Sequence, residues 1–258
     1  MNSKFVLFLN KTVYLVFGAR GSGRAAVVSD LVEFRLDKTT SVHLCVSQAE
    51  VGKWNGLAAA NRDGCEMQTY EWKGAGLDFG RVVGECVFIV ADGLADPADS
   101  VEAFYEWLQG SEYELARVIC VVDCHRAYEE EKLIVWYDCC IHFSDVVLLA
   151  NRHGVSNKWV DEFKERYIKQ YYPCLFDFVK KGRVANPSLI LYSEVRRMTK
   201  LFDDAEEFAF DDDDEEDEPF EGEEANAGDP SKDPFLAKRG SGQRQKPVPD
   251  IRSLGIFQ

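Results

Sequence analysis

Short apolar, β-branched runs alternate along this chain with longer stretches of helical period. Strands are expected at residues 13–17, 42–46, 67–72, 86–90, 117–122 and 145–149. Each is short and mostly apolar rather than alternating, and several are followed by Gly, Asp or Asn. That is the pattern of parallel strands covered on both faces. Helices are expected at 25–34, 98–109, 129–143 and 156–169, with a last one near 188–201 closing the folded part. Such alternation implies right-handed crossovers and a three-layer αβα domain, with helices on both faces of a mostly parallel sheet. No internal repeat is visible.

Past Leu201 the composition changes. Between Phe202 and Asp229 lie 16 acidic residues and no Lys or Arg, whereas residues 230–258 hold six bases and two acids. The net charge of −15 is therefore a property of the tail, and residues 1–201 stand at −3. Like charges at this density repel and bury too little apolar area to offset chain entropy. Three regions are thus expected: a folded domain over 1–201, a disordered acidic linker over 202–229, and a basic, disordered tail over 230–258. The apolar residues Ile251, Leu254, Ile256 and Phe257 read either as a chance apolar terminus or as a short docking motif. The acids at 211–218 would hold hard cations weakly and without selectivity, because no loop fixes a geometry.

No stretch approaches the roughly 20 apolar residues that span a bilayer. The run at 5–9 has no small-residue cleavage site and leads straight into the first strand, so neither a membrane segment nor a signal peptide is expected. Eight cysteines at irregular spacing, several in apolar runs (Cys45, Cys86, Cys120), read as small packed hydrophobes rather than a disulfide framework. The expected compartment is reducing and cytoplasmic.

The most informative segment is Gly18-Ala-Arg-Gly-Ser-Gly-Arg-Ala-Ala26, which leaves an apolar strand and enters a helix. Its layout is that of a phosphate-binding P-loop, G-x-x-G-x-G-K-[ST]-[ST]. Glycines there let backbone N–H groups turn inward around phosphate oxygens, and the helix N-terminus adds a favourable dipole. Gly18, Gly21 and Gly23 keep that option. Arg24, however, stands in place of the lysine, and its longer planar guanidinium is no equivalent of a compact ammonium. Ala25 and Ala26 stand in place of the hydroxyls, and Ala25 cannot hold Mg²⁺. The same glycines also suit a plain strand-to-helix turn.

Further landmarks follow in order: Glu50-Val-Gly52, Asn61-Arg-Asp-Gly-Cys65, a buried strand ending in Ala91-Asp-Gly-Leu-Ala-Asp-Pro97, Val118-Ile-Cys-Val-Val-Asp123, and Phe143-Ser-Asp-Val-Val-Leu-Leu-Ala-Asn151. Over roughly residues 12–192 this series resembles the CobW family of P-loop GTPases, relatives of the UreG and HypB metal-insertion proteins. The string Gly93-Leu-Ala-Asp-Pro97 is its most specific piece. The resemblance implies a P-loop fold with a nucleotide cofactor at Gly18, Arg20, Gly21, Ser22, Gly23, Arg24, Ala25, Asp92, Asn151 and Arg152.

Measured against that family, four groups are missing. The phosphate lysine and the magnesium hydroxyl are replaced as above. The family's G-C-x-C-C metal motif reads Gly64-Cys65-Glu66-Met67-Gln68, one thiol of three, so zinc binding is not expected. The guanine motif N-K-x-D reads Asn151-Arg152-His153-Gly154. Arg152 could stack on a base, but Gly154 offers no carboxylate. Where many family members carry a carboxylate three residues before the glycine of G-L-A-D-P, Val90 stands; Asp92 could reach a metal through water. Asp96 suits an N-cap before Pro97. The C-terminal domain usual in the family is not evident, because an acidic tail follows Leu201.

Little or no GTP hydrolysis is therefore expected, and no catalytic residue or metal ligand is assigned. GTP or another nucleotide would bind weakly. The leading reading is a pseudo-GTPase that acts by binding an unknown protein partner, and dimerisation stays open. The alternative is a divergent GTP-dependent metallochaperone. Cys120, Cys124, His125, Asp138, Cys139, Cys140 and His142 suggest a second metal cluster at first sight. Cys139 and Cys140, however, face about 100° apart on a helix, so buried structural roles are expected. The run 166–172 carries too few basic and aromatic residues to suggest nucleic acid.

Overall fold

The computed structural model describes residues 11–34, 36–73, 79–203 and 228–257. The expected acidic linker lies, for 204–227, outside the described residues, as do the N-terminal run at 5–9 and residue 258.

Eight strands form one sheet in the order β3-β2-β4-β1-β5-β6-β7-β8. They are β1 (Thr12–Phe17), β2 (Val42–Ser47), β3 (Cys65–Tyr70), β4 (Cys86–Val90), β5 (Glu114–Asp123), β6 (Val146–Ala150), β7 (Leu175–Lys180) and β8 (Arg183–Val184). All pairings are parallel except the antiparallel β7–β8 edge. Every residue of β2, β4 and β6 is buried, so β4 and β6 read as unbroken apolar runs and β2 as one interrupted by His43 and closed by Ser47.

Alternation along the strands divides the core between two faces. Val13, Leu15, Phe17, Val118, Cys120 and Val122 face one side. There they meet α2 (Pro97–Gln109), α3 (Cys124–Glu129), α4 (Glu131–His142) and α5 (Asn157–Ile168). Tyr14, Val16, Phe88, Ile119 and Val121 face the other side and meet α1 (Arg24–Phe34) through Val27, Val28, Leu31 and Val32. Tyr14 stacks on Phe88 at 4.8 Å. The expected three-layer αβα architecture is thus present. The chain leaves β1 for β2 on one flank and later adds β5 on β1's other flank. The C-terminal ends of β1, β4 and β5 therefore meet at a topological switch point, where open α/β sheets place their ligands.

The structure corrects the expected elements in four places. The helix expected at 129–143 is α4; the short α3 before it was not expected and is set off from it at Glu130 (φ −133°, ψ 102°), whose side chain caps α4 through Lys132 N. The helix expected at 188–201 is a short α6 (Pro187–Leu191). Beyond it the chain is drawn into an irregular path because Arg117 holds the Tyr192 carbonyl at 2.5 Å and Arg197 pairs with Asp145 at 3.2 Å. Strands β7 and β8 were not expected. β7 is only partly buried and alternates weakly, so it lacks the apolar run of the central strands.

The fourth correction concerns 230–258, expected to be disordered. Residues 228–257 pack along α2 and α4 with Phe235, Leu236, Ala237 and Ile251 buried. Arg244 pairs with Asp99 and Glu102 of α2, and Lys238 with Glu102 at 3.0 Å. Asp233 accepts hydrogen bonds from His142 at 2.8 Å and from Thr199 at 2.7 Å. Burial pushes the Asp233 carboxyl up, but these bonds and the Phe235 amide together hold it below the usual carboxylate range. Two of the bases that suggested solvation in the sequence, Lys238 and Arg244, are thus counter-ions to α2. Phe235→Ala should cost about 3–5 kcal/mol in urea denaturation; an unchanged midpoint would mean the segment does not pack.

Candidate functional site

The loop after β1 turns on three glycines in the left-handed half of φ space, Gly18 (142°), Gly21 (82°) and Gly23 (98°). At Gly18 the need is steric as well: a Cβ would lie 2.5 Å from the Val121 carbonyl of β5. Within the loop, Ala19 N donates to the Tyr137 hydroxyl at 3.4 Å, Arg20 N to the Gly93 carbonyl at 3.0 Å, and Ser22 N to the Ala19 carbonyl at 3.0 Å. The first helical bond of α1 runs from Val27 N to Gly23 O at 3.1 Å. Among the described residues, the N–H groups of Gly23, Arg24, Ala25 and Ala26 have no hydrogen-bond partner. They are the orphan donors of a helix start, gathered at the C-terminal edge of the sheet.

This is a P-loop. Strand, glycine turn and helix N-terminus stand at the switch point of a parallel sheet with helices on both faces.

Arg24 does not serve the loop. Its guanidinium is 4% exposed and turns beneath the loop, where Nη2 meets Glu50 Oε2 at 2.6 Å and Nη1 donates to the Ala91 carbonyl. The same Glu50 oxygen accepts Gly93 N at 3.0 Å. Gly93 must be glycine here, because a Cβ would run into Arg24 Nη2 and sit 2.5 Å from Arg20 N. One buried ion pair thus ties α1, the 3₁₀ turn Gln48–Trp54 and the end of β4. Glu50 was noted in the sequence only as a landmark and not as a site residue. The signal was the arginine itself, since a buried guanidinium needs an acid.

Asp92 and Asp96 are also engaged internally, whereas the Ser22 hydroxyl is not. Asp92 accepts Ser47 Oγ at 2.5 Å and Leu94 N at 2.9 Å, with Arg20 Nη2 at 3.9 Å. Ser22 is fully buried and its Oγ has no partner among the described residues. Asp96 caps α2 through Ala98 N at 2.9 Å, and burial raises its carboxyl above the ordinary range. Ala25 offers no oxygen. The residues beside the loop therefore do not fit a magnesium ion: the hydroxyl is missing, and Glu50 is committed to Arg24.

At the base-recognition end, Asn151 (φ 49°) donates to Asp123 Oδ2 at 2.9 Å and to the Gly21 carbonyl at 3.4 Å. Asp123 in turn caps α3 through Arg126 N at 3.1 Å. Arg152 lies over its own Phe178 at 4.2 Å. His125 and His153 stand 4.3 Å apart, centroid to centroid, beside Gly154. Asn151 thus tethers the loop. Arg126 was missed in the sequence: its Nη1 donates to the Arg20 carbonyl at 2.6 Å and presses on Gly21, where a Cβ would fall 2.7 Å from it.

At the loop itself opens a pocket of about 230 Å³: Gly21, Gly23, Arg24, Ala25 and Ala26 line it from the loop side, facing Val46, Trp54, Leu57 and Val90, with Ser47, Glu50 and Lys53 as its other polar residues. Burial pushes the thiols of Cys45, Cys86, Cys124 and Cys174 up to about 12, above the range of reactive thiolates. Among the described residues no group of three or more His, Cys, Asp or Glu is placed to hold a metal ion, and no helix is long and apolar enough to cross a membrane.

No family model and no curated protein matches the chain. Solved structures do. A Zn(II)-bound triple mutant of the YjiA GTPase is 14% identical, with a TM-score of 0.48, 71% of this chain covered and 61% of that one. Zn(II)-bound YjiA GTPase from E. coli is 15% identical, at 0.43, 72% and 66%. The hydrogenase maturation factor HypB from Archaeoglobus fulgidus is 12% identical, at 0.43, 66% and 82%. This chain spans about three fifths of the first of these proteins. At such values the likeness carries no weight of its own, and the P-loop assignment rests on strand order and loop geometry.

Removing one partner of the buried pair strands the other. Glu50→Ala is expected to cost about 3–5 kcal/mol in chemical denaturation, while a joint Arg24→Met, Glu50→Leu replacement stays close to wild type. Equal losses in both variants would show that the cost lies in losing the pair itself and not in stranding a buried charge.

Proposed function

We propose that this protein is a P-loop scaffold of CobW-like type that does not turn nucleotide over and acts by binding another protein. The observation that carries the reading is the Arg24–Glu50 pair. Phosphoryl transfer depends on a cation against the β- and γ-phosphates and on Mg²⁺ held by a loop hydroxyl. Here the loop's cation is turned under the loop onto Glu50 and the Ala91 carbonyl, and the hydroxyl position is Ala25. The base end agrees: Gly154 offers no carboxylate, and Asn151 and Arg152 are held by Asp123 and Phe178. GTP or another nucleotide would at most be held weakly, by the backbone.

A second reading, nucleotide-dependent metal insertion, has one observation in its favour. The amides of residues 23–26 remain open to an anion. The similar solved structures are a GTPase bound to Zn(II) and a hydrogenase maturation factor.

Calorimetry with GTP, GDP and ATP separates the two. The first reading expects weak binding that Mg²⁺ does not strengthen, and no release of phosphate. Micromolar, Mg²⁺-dependent binding with phosphate release would establish the second. Restoring the missing groups in an Arg24→Lys, Ala25→Thr variant should raise nucleotide affinity about tenfold or more, equivalent to about 1.4 kcal/mol, and make it depend on Mg²⁺.

A further inference from the structure

The C-terminal segment is held unequally along its length. Its first part is anchored by buried apolar residues, by Asp233 against His142 and Thr199, and by Arg244 against Asp99 and Glu102. Beyond Ile251 the anchoring thins. Arg252 and Ser253 are exposed, and Arg252 pairs with Asp250, two residues before it, at 2.8 Å. Leu254, Ile256 and Phe257 are half-buried against the core face that carries α2 and α4.

The place where this weakly held end lands is the loop. Phe257 stacks on the Arg126 guanidinium at 5.3 Å. The same guanidinium donates to the Arg20 carbonyl and lies on Gly21. Arg126 therefore has the P-loop and the Asp123 carboxylate, at 3.9 Å, on one side and the Phe257 ring on the other. Nearby, Trp136 donates to the Ala95 carbonyl at 3.2 Å, so the 91–96 segment sits between the loop and α4, on which the C-terminal end packs.

We infer that residues 251–257 are a releasable latch: they pin Arg126 onto Gly21 at the tip of the P-loop, so that the Gly21 side of the loop, unlike the amides of residues 23–26, is covered until the latch is displaced. The anchor and the tip have different tasks. Arg244 and the buried Phe235 keep the latch at high effective concentration beside its seat. The tip, held by one ring on one guanidinium and three half-buried side chains, can leave without unfolding the domain. A displaced tip uncovers the apolar seat of Leu254, Ile256 and Phe257 and frees Arg126 together. Access to the loop and exposure of an apolar surface are thereby coupled in one event.

Amide hydrogen exchange of the full chain tests this, read at Arg20 and Ser22, whose N–H groups are bonded within the closed loop. Phe257→Ala should speed exchange at both about tenfold, the effect of losing a contact of modest strength, while β1, β4 and β5 stay as protected as before. Arg126→Ala should do the same, and the double variant should go no further than either single one, because both remove one linkage. Arg244→Glu, acting at the anchor, should free the loop and residues 238–250 together. Unchanged exchange at Arg20 and Ser22 in the Phe257 variant would overturn the latch. So would additive effects in the double variant, or a rise spread evenly over the core strands, which would make the C-terminal segment an ordinary part of the core.

Discussion

The guanidinium of Arg24 is the point on which this structure turns. A buried cation must be paired and hydrogen-bonded, and Arg24 meets that demand with the Glu50 carboxylate and the Ala91 carbonyl. Glu50 then draws in the Gly93 amide. Three segments distant in sequence are fixed to one another by a single charge, at the place where the ends of β1 and β4 meet. The glycine at 93 and the absence of hydroxyls at 25 and 26 are compatible with this arrangement and poorly suited to an arrangement built around a metal ion.

The result is a cleft with an intact backbone and redirected side chains. The loop keeps the left-handed glycines and the open amides of a helix start, properties of the chain path. The groups that would make those amides an enzyme site are committed elsewhere: Arg24 to Glu50, Asp92 to Ser47 and the Leu94 amide, Asn151 to Asp123, and Arg152 to Phe178. Each commitment is local, yet together they replace interactions with a ligand by interactions within the protein. The apolar pocket of Ala25, Ala26, Val46 and Trp54 continues the same trend.

Much of the fold was legible because parallel strands buried on both faces are mostly apolar, as β4 and β6 are throughout and β1 and β2 are but for Thr12, His43 and Ser47. What escaped was decided by tertiary partners. β7 lies at the sheet margin and carries no apolar run. The segment after α6 has helical composition but is pulled straight by Arg117 and by Arg197 with Asp145. The region from Pro230 onward has the composition of a solvated tail, and only the acids of α2 make its arginine and lysine a means of attachment. At the site, the sequence announced the loop and the loss of its lysine. It could not announce the direction Arg24 takes, because that depends on Glu50, which the fold brings in from the turn after β2. Arg126 was invisible for the same reason.

The most direct test of the account is a crystal structure of the protein grown with Mg²⁺ and a non-hydrolysable GTP analogue. The account predicts that Arg24 remains within hydrogen-bond reach of Glu50 and the Ala91 carbonyl, with no metal ion beside Ala25 even if phosphate oxygens enter the amides of residues 23–26. A guanidinium swung out onto the phosphates, with an octahedral Mg²⁺ at the loop, would contradict it.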